Sequence, residues 1–148
     1  MRTIRRCFII RKDLHLSAGK LAAMVSHCAE AYWTRLISNS IVGEVIGKNK
    51  YRTECIEIDK DIYEQYINGI FTKTICEARN LNHLMKAKTI AEELGLVEDM
   101  DYGIINDCCL TELTPENEDG TCTVGIWFKP LSDDITHKIS KKYQLYKG

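Results

Sequence analysis

Lys20, Met24 and His27 are separated by four and then three residues, which puts all three on one face of a helix. An ammonium and an imidazole on one helix face can hold an anion, donate to a developing oxyanion or move a proton. Asn106-Asp107 closes a strand-like run, and Thr111 follows shortly after. A carboxylate at a strand end can orient a water and accept its proton, and a nearby hydroxyl can hold that water or an ester oxygen. Each residue also has a plainer reading. Lys20 could be a solvated residue at an ordinary helix start, His27 a half-buried structural imidazole, and Asp107 a turn residue bonded to backbone. The sequence contains no G-x-S-x-G elbow, no Walker loop and no C-x-x-C pair.

Twenty basic residues against 21 acidic ones give the 148-residue chain a net charge of −1. That total argues against a strongly basic nucleic-acid binder, but the charge is segregated. Arg2, Arg5, Arg6, Arg11, Lys12 and Lys20 face a single acid, Asp13, near the N-terminus. From Thr89 to Phe128 there is no Lys or Arg, while ten acids occur there, among them Asp107, Glu112, Glu116, Glu118 and Asp119. Lys138, Lys141, Lys142 and Lys147 make the end basic again. Segregation of this kind creates local fields that the total hides. Convergence of the two basic ends on one polyanion-binding face is one reading, and two solvated ends flanking a solvated acidic loop is the other.

Seven cysteines, no signal-peptide core and no apolar run near ~20 residues predict reduced thiols in a cytoplasmic protein that does not enter a membrane. Cys7, Cys55 and Cys76 read as small core residues. Cys108, Cys109 and Cys122 lack a recognised ligand spacing, so no metal is expected.

Several elements are needed to position these groups. Thr3–Arg11 reads as a buried strand. Ser17 is a suitable N-cap for a helix from Gly19 to about Leu36, with Leu21, Val25, Cys28, Tyr32 and Leu36 inward. Asn39–Arg52 is polar and turn-rich, Thr53–Ile58 alternates like a short strand, and Asp59–Asn68 reads as a short helix ended by Gly69. Ile70–Ala78 is a second firm strand. A helix capped by Asn80 or Asn82 follows through Leu94, with Gly95 as its stop. Tyr102–Asp107 and Thr121–Lys129 are further strands, the latter with Val124, Ile126 and Phe128 on one face and Trp127 on the other. Between them lies the acidic loop Leu110–Gly120. Ser132 caps a last helix. Strands alternating with helices, the last two strands without a helix between them, predict an α/β fold. It would be a three-layer α/β/α sandwich around a four-stranded mixed sheet.

Taken together, these residues resemble the archaeal/eukaryotic type of peptidyl-tRNA hydrolase, often called type 2. The family's first helix opens K-G-K-x-A-A-Q-x-x-H-A, and here Ala18-Gly19-Lys20-Leu21-Ala22-Ala23-Met24-Val25-Ser26-His27-Cys28-Ala29 corresponds to it. Its later D-A-G-x-T-Q corresponds to Asp107-Cys108-Cys109-Leu110-Thr111-Glu112, followed by a strand bearing Thr121 and Thr123. The ending Tyr143-Gln144-Leu145-Tyr146 is also similar. Relative to the pattern, Gln becomes Met24, the small pair becomes Cys108-Cys109, an often basic position is Leu110, and the second Gln becomes Glu112.

The resemblance implies one domain over 1–148, with 39–69 as an insertion, and usually a homodimer. It implies hydrolysis of the ester of peptidyl-tRNA, with tRNA as partner and no cofactor. Its site would comprise Lys20, His27, Asp107, Thr111 and either Thr121 or Thr123, with Thr123 taken first. Arg5, Arg11, Lys12, Lys138 and Lys142 would contact tRNA phosphates. A second reading is a non-catalytic or repurposed member of the fold that binds RNA or a protein partner through 39–69 and the acidic loop. A third is an enzyme acting on another ester, or through the thiol of Cys108 or Cys109. The acidic neighbours of those thiols oppose a thiolate.

Overall fold

The computed structural model describes residues 3–148, so Arg2 of the basic N-terminus lies outside the described residues. The elements in chain order begin with β1 (Ile4–Arg11), α1 (Ala18–Asn39), β2 (Ile41–Val45) and β3 (Lys50–Thr53). Next come α2 (Lys60–Ile62), which runs into a π-helical segment at Tyr63–Ile70, then β4 (Lys73–Ala78) and α3 (Leu81–Glu93). The chain ends with β5 (Tyr102–Asp107), β6 (Cys122–Phe128), β7 (Leu131–Ser132), α4 (Asp133–Ser140) and β8 (Gln144–Leu145).

The main sheet is ordered β5-β6-β1-β4-β8, and β7 pairs with the start of β1. β1 and β4 are parallel, whereas β6 runs antiparallel to both β1 and β5, and β8 antiparallel to β4. The fold is mixed α/β with a mixed sheet, but the sheet has six strands rather than the expected four. The additions, β7 and β8, have two residues each. Strands that short carry no alternation for a sequence to display.

β1 is buried on both faces, as a strand in the middle of a sheet must be. Its alternation sends Cys7 and Ile9 into a cluster with Leu84, Ala87 and Ala91 of α3 and Ile139 of α4. Phe8 and Ile10 enter a second cluster with Met24, Cys28 and Tyr32 of α1. Arg6, which the sequence groups with exposed cations, is completely buried. Its guanidinium donates to the carbonyls of Phe128, Ala29 and Cys28 at 3.0, 2.8 and 3.1 Å and lies over the Phe8 ring. It holds α1 to the sheet. Burial lowers its pKa from the ordinary guanidinium value.

Three expectations need correction. Val124 does not share the Ile126 and Phe128 face. Ile105 opposes Gly125 but Asn106 opposes Thr123, so Val124 is an extra residue in β6, a bulge, and it joins the α1-side cluster with Trp127. Asn39 still belongs to α1, residues 41–53 form the β2–β3 hairpin, and residues 54–58 form no strand. The hairpin is largely exposed, so neither face imposes a hydrophobic period. The predicted helix at Asp59–Asn68 does form, but as α2 plus the π-helical segment, whose regularity fails at Asn68 and Gly69. The left-handed residue after it is Phe71 rather than Gly69.

Candidate active site

β1, β4 and β5 point the same way, so their C-terminal ends share one edge of the sheet, and α1 starts above it. That edge is where open α/β sheets bind ligands. Ser17 caps α1 by accepting the Lys20 backbone N–H at 3.2 Å. The cap fixes the first turn and aims the Lys20 side chain across to the end of β5. Lys20 Nζ lies 2.7 Å from Asp107 Oδ1 and 3.5 Å from Thr111 Oγ1. Both partners of the ion pair are mostly shielded, with side chains 14% and 11% exposed.

The other oxygen of Asp107 accepts the backbone N–H of Cys109 at 2.8 Å. Partial burial opposes ionisation of Asp107. The Lys20 ammonium, the Cys109 N–H and the neighbouring His27 outweigh it and hold the carboxyl below its usual 3.8. Cys109 makes this bond from a left-handed backbone, φ 61°. It occupies the place of the glycine in the D-A-G motif, and the conformation explains why a glycine suits that place. Desolvation and the Asp107 carboxylate raise the pKa of the Cys109 thiol, which disfavours a reactive thiolate.

The sequence candidates divide into groups. Lys20, Asp107 and Thr111 are brought together. His27 is exposed, its side chain makes no hydrogen bond among the described residues, and its influence on Asp107 is a minor electrostatic one that helps lower the carboxyl pKa. Thr123 Oγ1 donates to Asn106 Oδ1 at 2.7 Å and accepts from Asn117, bracing the strand end beside Asp107 rather than bonding to it. Thr121 bonds Asn117 and Asp119 in the loop. Met24 is buried in the core and offers nothing to the site.

Two acidic residues, Glu112 at the motif's second Gln position and Glu116 in the loop, prove to be structural. Glu112 accepts from the Ser17 backbone N–H at 3.0 Å and from its hydroxyl at 2.7 Å, which holds its carboxyl below the usual range. It therefore occupies the positive end of α1, where a ligand anion would otherwise be attracted. Glu116 grips Arg11, and Arg11 also bonds Asp13 and the Thr123 carbonyl. The chain carried no signal for either contact, because Glu112 and Glu116 come within reach of Ser17 and Arg11 only once the sheet has formed.

Among the expected phosphate contacts, Arg11 has a side chain only 4% exposed and enclosed by two carboxylates, which leaves it little surface for a ligand. Arg5 lies at the opposite end of β1, paired with Asp133 and bonded to Thr74. Lys12 is half-exposed, paired with Glu77 and bonded to the Lys147 carbonyl. Lys138 and Lys142 are exposed and form no ion pair among the described residues. No three His, Cys, Asp or Glu side chains among the described residues gather as a metal site, and none of their helices is long and apolar enough to cross a membrane.

Comparison with known proteins points the same way. The family described as peptidyl-tRNA hydrolase PTH2 matches residues 4–146. A peptidyl-tRNA hydrolase of Thermoplasma acidophilum is 26% identical over 136 residues, covering 92% of each chain. One from Pyrobaculum aerophilum is 27% identical over 144 residues, covering 97% of this chain and 98% of its own. A solved structure from an Agrobacterium, the protein of unknown function Atu0240, superposes with a TM-score of 0.56 at 12% identity. It covers 99% of this chain and 100% of its own, and shows the fold alone.

Proposed function

Because the chain belongs to the peptidyl-tRNA hydrolase PTH2 family, we propose that it cleaves the ester joining a peptide to tRNA, releasing peptide and free tRNA. The observation that carries this reading is the shielded Lys20–Asp107 pair with Thr111 beside it, at the carboxyl edge of the sheet. Hydrolysis requires a water held against the ester carbonyl and a donor for the oxyanion that forms on attack. Lys20 is preorganised for the second task, because Asp107 fixes its ammonium before substrate arrives. Asp107 remains a carboxylate and hence a weak base. Its contribution is to orient Lys20 and accept a hydrogen bond from the water, while Thr111 holds the water or the ester oxygen. Thr123 and His27 serve this arrangement from its edge, the first by bracing Asn106 and the second as an exposed imidazole near Asp107.

The same reading covers the unit as a whole. It is one domain in which residues 39–69 are an insertion, with the two core clusters on opposite faces of the sheet as in an α/β/α sandwich. It works in the cytoplasm, where translation supplies the substrate, and as a homodimer, which sedimentation would test. Incubating the purified protein with peptidyl-tRNA and following the release of free tRNA tests the reaction. Turnover supports it, and no turnover by the wild type sinks it. A second reading, a binding protein without catalysis, is favoured by the apolar side chains exposed in and beside the insertion. Ile46 is 96%, Tyr51 71% and Ile70 84% exposed. Tight tRNA binding without turnover would select it.

A further inference from the structure

Four cations stand near the same sheet edge but outside the site already described. Arg79 follows β4, Lys86 is on α3, and Lys141 and Lys142 follow α4. All four are exposed, and none makes an ion pair or a side-chain hydrogen bond among the described residues. The backbones of Arg79 and Lys142 are tied to one side chain. The ring of His83, itself buried, accepts the Arg79 N–H at Nδ1, 3.0 Å, and lies 3.2 Å from the Lys142 carbonyl at Nε2. Tyr143 stacks on that ring at 4.4 Å and donates its hydroxyl to the His83 carbonyl at 2.7 Å. One imidazole thus fixes the start of α3 against the end of α4 and sets the spacing of the basic residues on either side.

Two adjoining recesses of about 280 and 420 Å³ open there and share Arg79, His83, Lys142 and Tyr143. The acids at their rim are Glu77, already paired with Lys12 at 3.0 Å, and Glu93. Unpaired cations lining a preformed recess attract phosphate strongly, because no internal carboxylate has to be displaced.

We propose that Arg79, Lys86, Lys141 and Lys142 form the phosphodiester-binding site of this protein, taking the nucleic-acid backbone that leads to the Lys20–Asp107 pair. The end of β4 stands three strands from the end of β5 in the sheet order, a separation of roughly 14 Å at the usual strand spacing. A few nucleotides of single-stranded chain span that distance. A substrate whose esterified end lies at Asp107 therefore brings its preceding phosphates to Arg79 and Lys142. The identity of the nucleic acid as tRNA rests on the hydrolase reading. The existence of the phosphate site does not.

The test compares two variants of the full chain. The first combines Arg79→Ala, Lys86→Ala and Lys142→Ala. The second combines Lys48→Ala, Lys50→Ala and Arg52→Ala, which removes exposed cations of the β2–β3 hairpin. Binding of uncharged tRNA is measured across a salt series, and KM and kcat are measured with peptidyl-tRNA. The first variant should bind at least ~10-fold more weakly, with a log–log salt slope shallower by about two to three. Its KM should rise much more than its kcat falls, while the hairpin variant should bind like the wild type. Unchanged affinity and slope in the first variant overturn the site, as does an equal loss in the hairpin variant. No tRNA binding by the wild type also overturns it. Binding that depends on the patch, in a wild type that hydrolyses nothing, would leave the site standing and sink the hydrolase reading.

Discussion

At the β5–β6 end of the sheet's carboxyl edge, the two Lys and Arg side chains nearest the site among the described residues are consumed internally. Lys20 pairs with Asp107, and Arg11 is enclosed by Asp13 and Glu116. The helix start is taken by Glu112. At the β4–β8 end, Arg79, Lys86, Lys141 and Lys142 have no such partners among the described residues. Both ends carry several basic residues, yet only the second offers them to a ligand. The difference teaches that a count of charges along a chain does not measure available charge. What matters is whether the fold brings a carboxylate to each cation. The acidic loop, whose charge would repel a polyanion partner, spends two of its carboxylates inward, on Ser17 and Arg11.

The comparison breaks most sharply at Asp107. Asp107→Asn should lower hydrolysis of peptidyl-tRNA by at least ~100-fold, and Lys20→Ala by a similar factor. Turnover surviving both changes would show that this end is only structural. The charge state of the pair gives a second reading of it. Lys20 and the Cys109 N–H leave the folded-state pKa of Asp107 below the unfolded value. Its stabilising contribution is therefore complete above the unfolded value and is lost as pH falls through the folded one. A carboxyl-carbon NMR titration should give a midpoint below 3.8, and a midpoint above it would contradict the ion pair.

Arg11→Ala comes next in size. It removes a side chain 4% exposed from between carboxylates that are 36% and 40% exposed. Solvent screening of those partners keeps the expected loss to about 2 kcal/mol, below that for a fully buried pair. Chemical denaturation should report it, while the salt slope of tRNA binding stays as in the wild type. A change of slope would mean that Arg11 does reach phosphate.

Glu112→Gln should strengthen tRNA binding at low salt by roughly two- to fivefold, because a neutral amide no longer cancels the positive end of α1. Weaker binding would show that the carboxylate positions the helix start rather than shielding it. The smallest effect is expected at Cys109, where Cys109→Gly relieves a left-handed backbone and should raise Tm by a few degrees. A lower Tm would mean that the thiol packs usefully.

Much of this edge was legible in the chain. Phe8, Ile9 and Ile10 announce a strand buried on both faces, Ser17 announces a helix start that the structure caps as expected, and of the two candidates Asn80 and Asn82 it is Asn80 that caps α3. Lys20, Asp107 and Thr111 were recognisable by type and motif. Periods of 3.6 and 2.0, together with cap chemistry, are local properties, so a sequence carries them openly. The β2–β3 hairpin was not legible, because its strands bury no continuous face. The Val124 bulge was not either, because register is settled by the partner strand.

By itself the sequence determined which segments could be helices or strands, and it held the two motifs that identify the family. Only the tertiary structure decided which charges are free. Arg6 and Arg11 look like Lys142 in the chain, yet the first is buried against helix carbonyls, the second is clasped by two carboxylates, and the third is exposed. The physical reason is that ion pairing acts over a few ångströms. The partners of Arg11 and Lys20 come from residues 116 and 107, which lie near them only after the sheet has formed.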